Sequence, residues 1–279
     1  MHFPSAAVIG LAVLLLPAVA TSQTSDLVDR SKLRVCADPA NMPFTNQAGE
    51  GFENRIAELL ARDLGIPLEY TWYPQATGFY RLTLGAKLCD VVMGTVVESD
   101  PMLNTNPYYK SAWVLVTRAD APLKDVTRLD DPRLAGKHLG VIAGTPPATL
   151  LVMHDLMAAA KPYPLGVDRR FDNPVANMIA DIAAGAIDGG ILWGPAAGYY
   201  VHRSDTPLSL QPLVNETDGP PLMFRITLGI RPGEQNWKHR LNDFLASNRR
   251  QIETVLLDYS VPLLDEQNRL VTRTGARFP

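Results

Sequence analysis

A strand, a turn-rich loop and an amphipathic helix follow one another between residues 32 and 65. Residues 33–37 predict a short apolar strand. From residue 52 to residue 64, apolar side chains recur at the spacing of a single helix face, and the glycine and proline that come next predict the end of that helix. The loop in between therefore follows the carboxyl end of a strand, the edge at which open α/β sheets bind ligands.

The same order of strand and helix returns later in the chain. Strands are predicted at 67–74 and 90–95 with a helix at 78–87 between them, which completes a βαβαβ unit and implies a parallel sheet with right-handed crossovers. A second series has a strand at 138–143 and a later one at 189–193, with helical patterns between and after them. The sequence therefore predicts an α/β protein.

Apolar strand patterns lead into and out of the second series, which predicts that one domain is inserted into another. The first lobe would comprise residues 27–115 and 223–279, and the second lobe residues 119–215. The chain would cross between the lobes at two hinge segments, 116–119 and 216–222. Ligands of open α/β sheets bind at the carboxyl ends of the strands, and both lobes would have such ends.

Composition and motifs exclude several classes of function. The 279 residues are 46% hydrophobic and 20% charged, which is enough apolar material for a packed core. A net charge of -3 gives no sign of the excess of basic residues that would attract nucleic acid or an anionic membrane. The chain contains no P-loop, G-x-S-x-G or G-x-G-x-x-G motif, and its five histidines lack the spacing of a metal site. We therefore expect no metal and no cofactor, and the isolated glycines, Gly94 among them, are interpreted as turns.

Residues 1–20 have the pattern of a secretory signal peptide. An apolar run at 6–16 precedes an A-x-A cleavage site at 18–20. The run is shorter than the roughly 20 apolar residues of a membrane-spanning helix and is followed by Pro17. We expect cleavage of this segment, export to the periplasm and no membrane anchor.

Export makes the two cysteines informative, because a disulfide persists outside the cytoplasm. Cys36 lies in the first predicted strand and Cys89 begins a later one. If these strands are adjacent and parallel, their Cα atoms could come within the ~5.5 Å that a disulfide requires. The alternative is two buried thiols that act as small apolar side chains.

Three segments, CADPANMPF at 36–44, GEGFENRIAELLARDLG at 49–65 and CDVVMG at 89–94, resemble the MxaJ/XoxJ group of type II periplasmic solute-binding proteins. Members of this group are periplasmic accessory proteins of pyrroloquinoline-quinone (PQQ) methanol dehydrogenases. The resemblance implies a two-lobed periplasmic-binding-protein type II fold with two hinge crossings and a ligand cleft between the lobes. It also implies a PQQ-dependent methanol dehydrogenase as partner, and we expect no catalytic residues. The quinone and its metal would belong to the partner enzyme.

The chain lacks two features with which amino-acid-binding relatives in this superfamily hold their ligand. Those relatives bind the ligand carboxylate with an arginine after the third strand, whereas residues 96–109 here contain neither arginine nor lysine. They hold the ligand ammonium with an acid after a later strand, where this chain has Trp193 and Gly194. Burying a carboxylate without a cation is costly, so we do not expect an amino-acid ligand.

Eight residues are predicted to contact a ligand or partner in the cleft, because they lie at strand ends, in the loops that follow or at helix N-termini. They are Asp38, Asn41, Phe44, Glu53, Thr95, Tyr108, Thr145 and Trp193. The aromatic members suit an apolar ligand or a protein segment, or they are ordinary core residues. Thr145 could offer backbone N–H groups to an anion, but Pro146 and Pro147 remove two of them, so helix capping is the favoured interpretation.

Asp38 and Glu53 could form an acid–base pair, as comparable carboxylates do in cyclohexadienyl dehydratases of this fold. The simpler interpretation is that Asp38 organises its own turn and that Glu53 favours the positive end of a helix dipole. The predicted function is therefore a non-enzymatic accessory protein of a quinoprotein methanol dehydrogenase. The alternatives are a receptor of an ABC transporter for a small ligand other than an amino acid, and a dehydratase-like enzyme.

Overall fold

The computed structural model describes residues 26–97 and 101–271. The predicted signal peptide, residues 1–20, lies outside the described residues. The strands are β1 (Leu33–Ala37), β2 (Ala40–Asn41), β3 (Thr45–Asn46), β4 (Leu68–Trp72), β5 (Val91–Val96), β6 (Leu103–Asn104), β7 (Tyr109–Arg118), β8 (Leu139–Ile142), β9 (Lys161–Tyr163), β10 (Gly189–Trp193), β11 (Leu208–Pro212) and β12 (Met223–Ile230). The α-helices are α1 (Phe52–Leu64), α2 (Phe79–Leu82), α3 (Pro146–Met153), α4 (Pro174–Ala183), α5 (Gly194–His202), α6 (Gln235–Ser247) and α7 (Arg249–Asp258). The predicted α/β class is confirmed, and within the described ranges no helix is long and apolar enough to span a membrane.

The first series of strands forms a parallel sheet, as predicted. β4 and β5 pair with opposite edges of β1, giving the order β4–β1–β5, and β12 joins the far edge of β5 in the antiparallel direction. Helix α1 buries Phe52, Ile56 and Leu60 completely, at the predicted spacing. It ends at Gly65, whose φ of 68° is the left-handed conformation that glycine adopts without strain.

The second series has the same strand order. β8 lies between β9 and β10 and is parallel to both, while β7 pairs with β10 in the antiparallel direction and β11 covers the other edge of β7. In each series the chain leaves its first strand to one side and later returns on the other side. This reversal creates a crevice at the carboxyl ends of two strands, namely β1 and β5 in the first series and β8 and β10 in the second.

Strand β7 belongs to both sheets. Its residues 109–112 pair with β12, whereas its residues 113–118 pair with β10 or β11. The predicted lobe boundaries, with crossings at 116–119 and 216–222, stay a prediction. Because the partner of β7 changes from β12 to β10 between residues 112 and 113, the strand pairing favours a first crossing between the lobes near residue 113.

Helix α5 packs very closely against the backbone of β7 and against the segment that follows α7. A Cβ atom at Gly198 would overlap the carbonyl oxygen of Ser260, and one at Gly194 would crowd the carbonyl oxygen of Ala112. Only glycine leaves room for such backbone contact. These two glycines therefore position α5, and with it the end of β10, against β7 and the residues after α7.

Some local predictions were wrong. The helix predicted at 78–87 shortens to α2, because Thr83 leaves the helical conformation (φ -125°, ψ -87°) and its hydroxyl donates to the carbonyl oxygen of Phe79 at 2.6 Å. β9 and β11 were not predicted, since each is a short strand that is stabilised by pairing with one neighbour. Gly94 lies inside β5 and is not a turn residue.

The sulfur atoms of Cys36 and Cys89 are bonded, and the two Cα atoms lie 5.4 Å apart. The predicted disulfide is therefore present, and the alternative of two free buried thiols is wrong. It joins β1 to the residues just before β5, which are neighbours in the parallel sheet. Both cysteines are almost completely buried.

A buried cluster of charged side chains lies next to the disulfide and was not predicted. Asp90 accepts two hydrogen bonds from Arg34, each 2.7 Å long, and one from Arg231 at 2.6 Å. Arg231 also pairs with Glu234 at 2.7 Å and donates to the carbonyl oxygen of Cys89. Buried charges require such pairing and hydrogen bonding, so the cluster ties the start of β5 to the end of β12.

Candidate functional site

A cavity of about 400 Å³ lies where the two crevices face each other. The first series contributes the loop after β1, the start of α1 and the end of β5. The second series contributes the ends of β8 and β10 and the connection between β9 and α4. Small-molecule sites typically have volumes of about 300–1,000 Å³, so the cavity is large enough for a small organic ligand.

The structure brings six of the eight predicted residues to the wall of this cavity. They are Asn41, Phe44, Glu53, Thr95, Thr145 and Trp193. Asp38 and Tyr108 lie behind the wall and do not line the cavity. That these residues bind a ligand or a partner stays a prediction.

Asp38 organises the loop that follows β1. Its buried carboxylate accepts hydrogen bonds from the backbone N–H groups of Ala40 at 2.9 Å and Gln75 at 2.7 Å. Arg169, on the connection between β9 and α4, places its Nη1 atom 3.7 Å from Oδ2 of Asp38. Asp38 therefore has the turn-forming role, and in addition it joins the two walls of the cavity through an ion pair.

Glu53, the second residue of α1, has its carboxyl group enclosed by protein atoms except where it borders the cavity. It makes no hydrogen bond with any described residue. Burial, with a smaller contribution from the negative charge of Asp38, raises the pKa of Glu53 from its usual 4.5 to about 8. The acid is therefore mostly uncharged at neutral pH, and burial outweighs the helix dipole that was expected to favour its ionised form. Gly94 makes room for it, because a Cβ atom there would overlap Oε1 of Glu53.

Tyr108, which precedes β7, and Tyr109, which begins it, have different surroundings. Tyr108 donates a hydrogen bond to the carbonyl oxygen of Met93 at 2.7 Å, which holds its ring against β5. Tyr109 lines the cavity, and its hydroxyl has no hydrogen-bond partner in the described part of the chain. Burial raises the pKa of both hydroxyls well above the ordinary value, so both stay protonated at neutral pH. Alternate residues of a strand share a face, and this rule, which groups Tyr109 with Trp113, could have selected Tyr109.

Aromatic rings form the apolar part of the cavity wall. The ring centroid of Trp193 lies 6.0 Å from that of Trp113 and 5.9 Å from that of Phe224. Phe44 packs against the buried ring of Phe52 with a centroid distance of 5.1 Å. Tilted and edge-to-face ring pairs of this kind are stabilising. Phe44 and Trp193 therefore both extend the core and face the cavity.

Thr145 occupies the N-cap position of α3 but does not cap the helix with its side chain. Its hydroxyl instead donates to the carbonyl oxygen of Ile142 at 2.6 Å. Pro146 and Pro147 begin the helix without backbone N–H groups. This end of α3 thus offers few donors to an anion, as the sequence suggested.

Sequence reasoning missed Arg169, a charged residue of the cavity wall. It lies in a loop with no pattern or motif, so no signal in the sequence pointed to it. Its guanidinium makes no hydrogen bond with the described residues, and its charge is balanced by Asp38. Within the described ranges, no three side chains of His, Cys, Asp or Glu come together as a metal site.

Known proteins resemble this chain over most of its length. It is 32% identical to protein MoxJ of Methylorubrum extorquens, over 95% of this chain and 94% of MoxJ. The crystal structure of the periplasmic binding protein XoxJ from Methylobacterium extorquens AM1 covers 84% of this chain and 100% of XoxJ, with 44% identity and a TM-score of 0.72. The chain belongs to the MxaJ/XoxJ family. No protein-family model matches it.

Another family structure extends the comparison. MxaJ from Methylophaga aminisulfidivorans MPT covers 83% of this chain and 100% of MxaJ, with 26% identity and a TM-score of 0.75. Membership of the MxaJ/XoxJ family confirms the resemblance found in the sequence, and the shared architecture confirms the type II periplasmic-binding-protein fold. The family also indicates a periplasmic binding protein, which agrees with the expected export and with a role other than catalysis.

Proposed function

We propose that this protein is a periplasmic accessory protein that supports a PQQ-dependent methanol dehydrogenase by contacting it through the aromatic cleft. Its family associates it with methanol oxidation. The observation that carries the proposal is the cavity wall, where aromatic rings stand in place of the charged groups with which amino-acid receptors hold their ligands.

The accessible aromatic rings support a protein contact. Trp193 and Phe224 are only partly buried, so both rings can bury further apolar area against a partner. Aromatic residues in desolvated pockets supply most of the energy of many interfaces.

The polar groups of the cavity support a role without catalysis. The carboxylate of Asp38 is held by two backbone N–H groups and by Arg169, and no hydrogen bond joins it to Glu53. A general base must reach the proton that it removes. Asp38 faces its own loop, so the two carboxyl groups are poorly arranged as an acid–base pair.

Affinity capture from the organism that carries the protein tests the proposal. The tagged mature protein is incubated with periplasmic extract of methanol-grown cells, and captured proteins are identified by mass spectrometry. We expect enrichment of a quinoprotein methanol dehydrogenase. We expect the double variant Trp193→Ala/Phe224→Ala to bind it about tenfold or more weakly, because hot-spot aromatic residues each contribute this much.

Leu88→Ala is the matched control, because Leu88 is apolar, 53% exposed and outside the cavity. Equal capture of the dehydrogenase by the control and the double variant would place the contact elsewhere on the protein. No enrichment of a dehydrogenase by the unchanged protein would refute the accessory role.

A receptor for a small ligand other than an amino acid is the second candidate function. It is favoured by the size of the cavity, about 400 Å³, and by its position between the strand ends of both series. A thermal-shift screen of small solutes tests it directly. A solute that stabilises the protein while no dehydrogenase is captured would favour the receptor of an ABC transporter.

A further inference from the structure

Three polar groups face the cavity without hydrogen-bond partners among the described residues. They are the carboxyl group of Glu53, the hydroxyl of Tyr109 and the guanidinium of Arg169. A protonated carboxyl group and a phenol each have an O–H to donate, and a guanidinium has five N–H donors. Each of the three groups can therefore donate a hydrogen bond to a ligand, and a donor without a partner in an apolar site gains from an acceptor.

The charges at the cavity wall favour an uncharged ligand. Arg169 and Asp38 balance each other at 3.7 Å, and Glu53 is protonated at neutral pH. An anionic ligand would have to compete with Asp38 for Arg169. A cationic ligand would require ionisation of Glu53 close to Asp38, and the repulsion between those two carboxylates opposes it.

We propose that the cavity binds an uncharged, largely apolar organic molecule through a carbonyl oxygen, with Glu53 and Tyr109 as the hydrogen-bond donors. A protonated carboxyl group together with a tyrosine hydroxyl holds the carbonyl-derived oxygen in ketosteroid isomerase, so the chemistry is established in another protein. Trp113, Trp193 and Phe224 supply aromatic surface for the rest of the molecule.

The close contact between Glu53 and Gly94 supports this assignment. Because a Cβ atom at Gly94 would overlap Oε1, the carboxyl group fills the space next to β5 and is held at the wall. It reaches no protein acceptor from there. Its O–H is therefore available to the cavity, where a bound carbonyl oxygen could accept it.

Three probes of similar size separate the ligand classes. Acetophenone carries a carbonyl oxygen, cumene lacks an acceptor, and phenyltrimethylammonium is a cation. Binding of each probe to the mature protein is measured by saturation-transfer difference NMR and by competition between the probes. We expect acetophenone to bind in preference to the other two at neutral pH.

Variants of Glu53 test its role as a donor. Glu53→Gln keeps an uncharged donor and should change acetophenone affinity by less than about threefold, whereas Glu53→Leu should weaken it by roughly five- to tenfold. Tyr109→Phe removes the second donor and should weaken binding by a similar factor, which provides a readout if Glu53→Leu does not fold. Glu58→Gln, in the same helix but outside the cavity, is the control and should leave binding unchanged.

Three results would overturn the proposal. Preferred binding of phenyltrimethylammonium that is lost in Glu53→Gln would assign the cavity to organic cations. Equal binding of cumene and acetophenone in every variant would show that Glu53 and Tyr109 are not donors to the ligand. Binding of none of the three probes would refute an uncharged carbonyl ligand. Probe binding is measured on the isolated protein, so failure to capture a dehydrogenase would leave these results unchanged.

Discussion

Replacing Glu53 with glutamine should reduce the dependence of the protein's stability on pH. The cause is the pKa of Glu53, which burial raises from 4.5 to about 8 in the folded protein. The folded chain therefore holds this proton where the unfolded chain has already released it. By linkage, the free energy of unfolding falls as the pH rises between these two pKa values, and it is unaffected by this group below both of them.

The size of the effect follows from the two pKa values. Each pH unit within this window changes the free energy of unfolding by up to about 1.36 kcal/mol. Between about pH 5 and about pH 7, with partial titration of the unfolded chain at the lower end, Glu53 should lower the free energy of unfolding by about 2.5 kcal/mol. Glutamine cannot ionise, so Glu53→Gln should lack this decrease.

Urea unfolding of both proteins at these two pH values, with the disulfide intact, measures the effect. Every other titratable group is common to both proteins, so the quantity of interest is the difference between the two proteins and not the profile of either one. Tyr108 and Tyr109, which face Glu53, stay protonated throughout, and Asp38 and Arg169 are present in both. Glu58→Gln serves as the control. Parallel pH profiles for the unchanged protein and Glu53→Gln would show that Glu53 is ionised at neutral pH and would refute the reasoning.

Three further changes should alter stability through other contacts. Reducing the disulfide, which spans 53 residues of sequence, should lower the free energy of unfolding by about 4 kcal/mol, measured by urea unfolding with and without reductant; a loss below ~1 kcal/mol would contradict the loop-entropy account. Arg231→Met removes a buried partner of Asp90 and should cost about 3–5 kcal/mol in the same assay, whereas a neutral effect would mean that the remaining charges re-pair. Gly198→Ala should cost about 1–3 kcal/mol because its Cβ would overlap the carbonyl oxygen of Ser260; Gly166→Ala, with no neighbour within 4 Å, is the control and should be nearly neutral.

Local patterns were sufficient to predict most of the fold. The strand–loop–helix unit that contains α1 was predicted almost to its ends, because apolar spacing, Gly65 and the following proline all act within a few residues of each other. The parallel order of the strands followed from alternation with helices. α2 was predicted too long and β9 and β11 were missed, because contacts with distant segments decide those elements.

The candidate site was predicted in outline. Six predicted residues reached the cavity wall because ligands in α/β folds lie at the carboxyl ends of strands, and those ends are visible in the sequence. Tyr108 was selected in place of Tyr109, although strand alternation distinguishes the two. No sequence pattern indicated that Arg169 would line the cavity, because its position beside Asp38 depends on how the two series of strands face each other.

Periodicity, turn residues and short motifs, which lie close together in the chain, were enough to predict the α/β class, the family and most of the elements in order. The chemistry of the cavity depends instead on contacts between segments that are distant in sequence. The pKa of Glu53 depends on burial beneath segments far away in sequence and on its distance from Asp38. The ion pair between Asp38 and Arg169 and the disulfide likewise join residues that are separated by many others. Burial and charge–charge distance are properties of the folded chain, because no local pattern specifies which distant groups will surround a side chain.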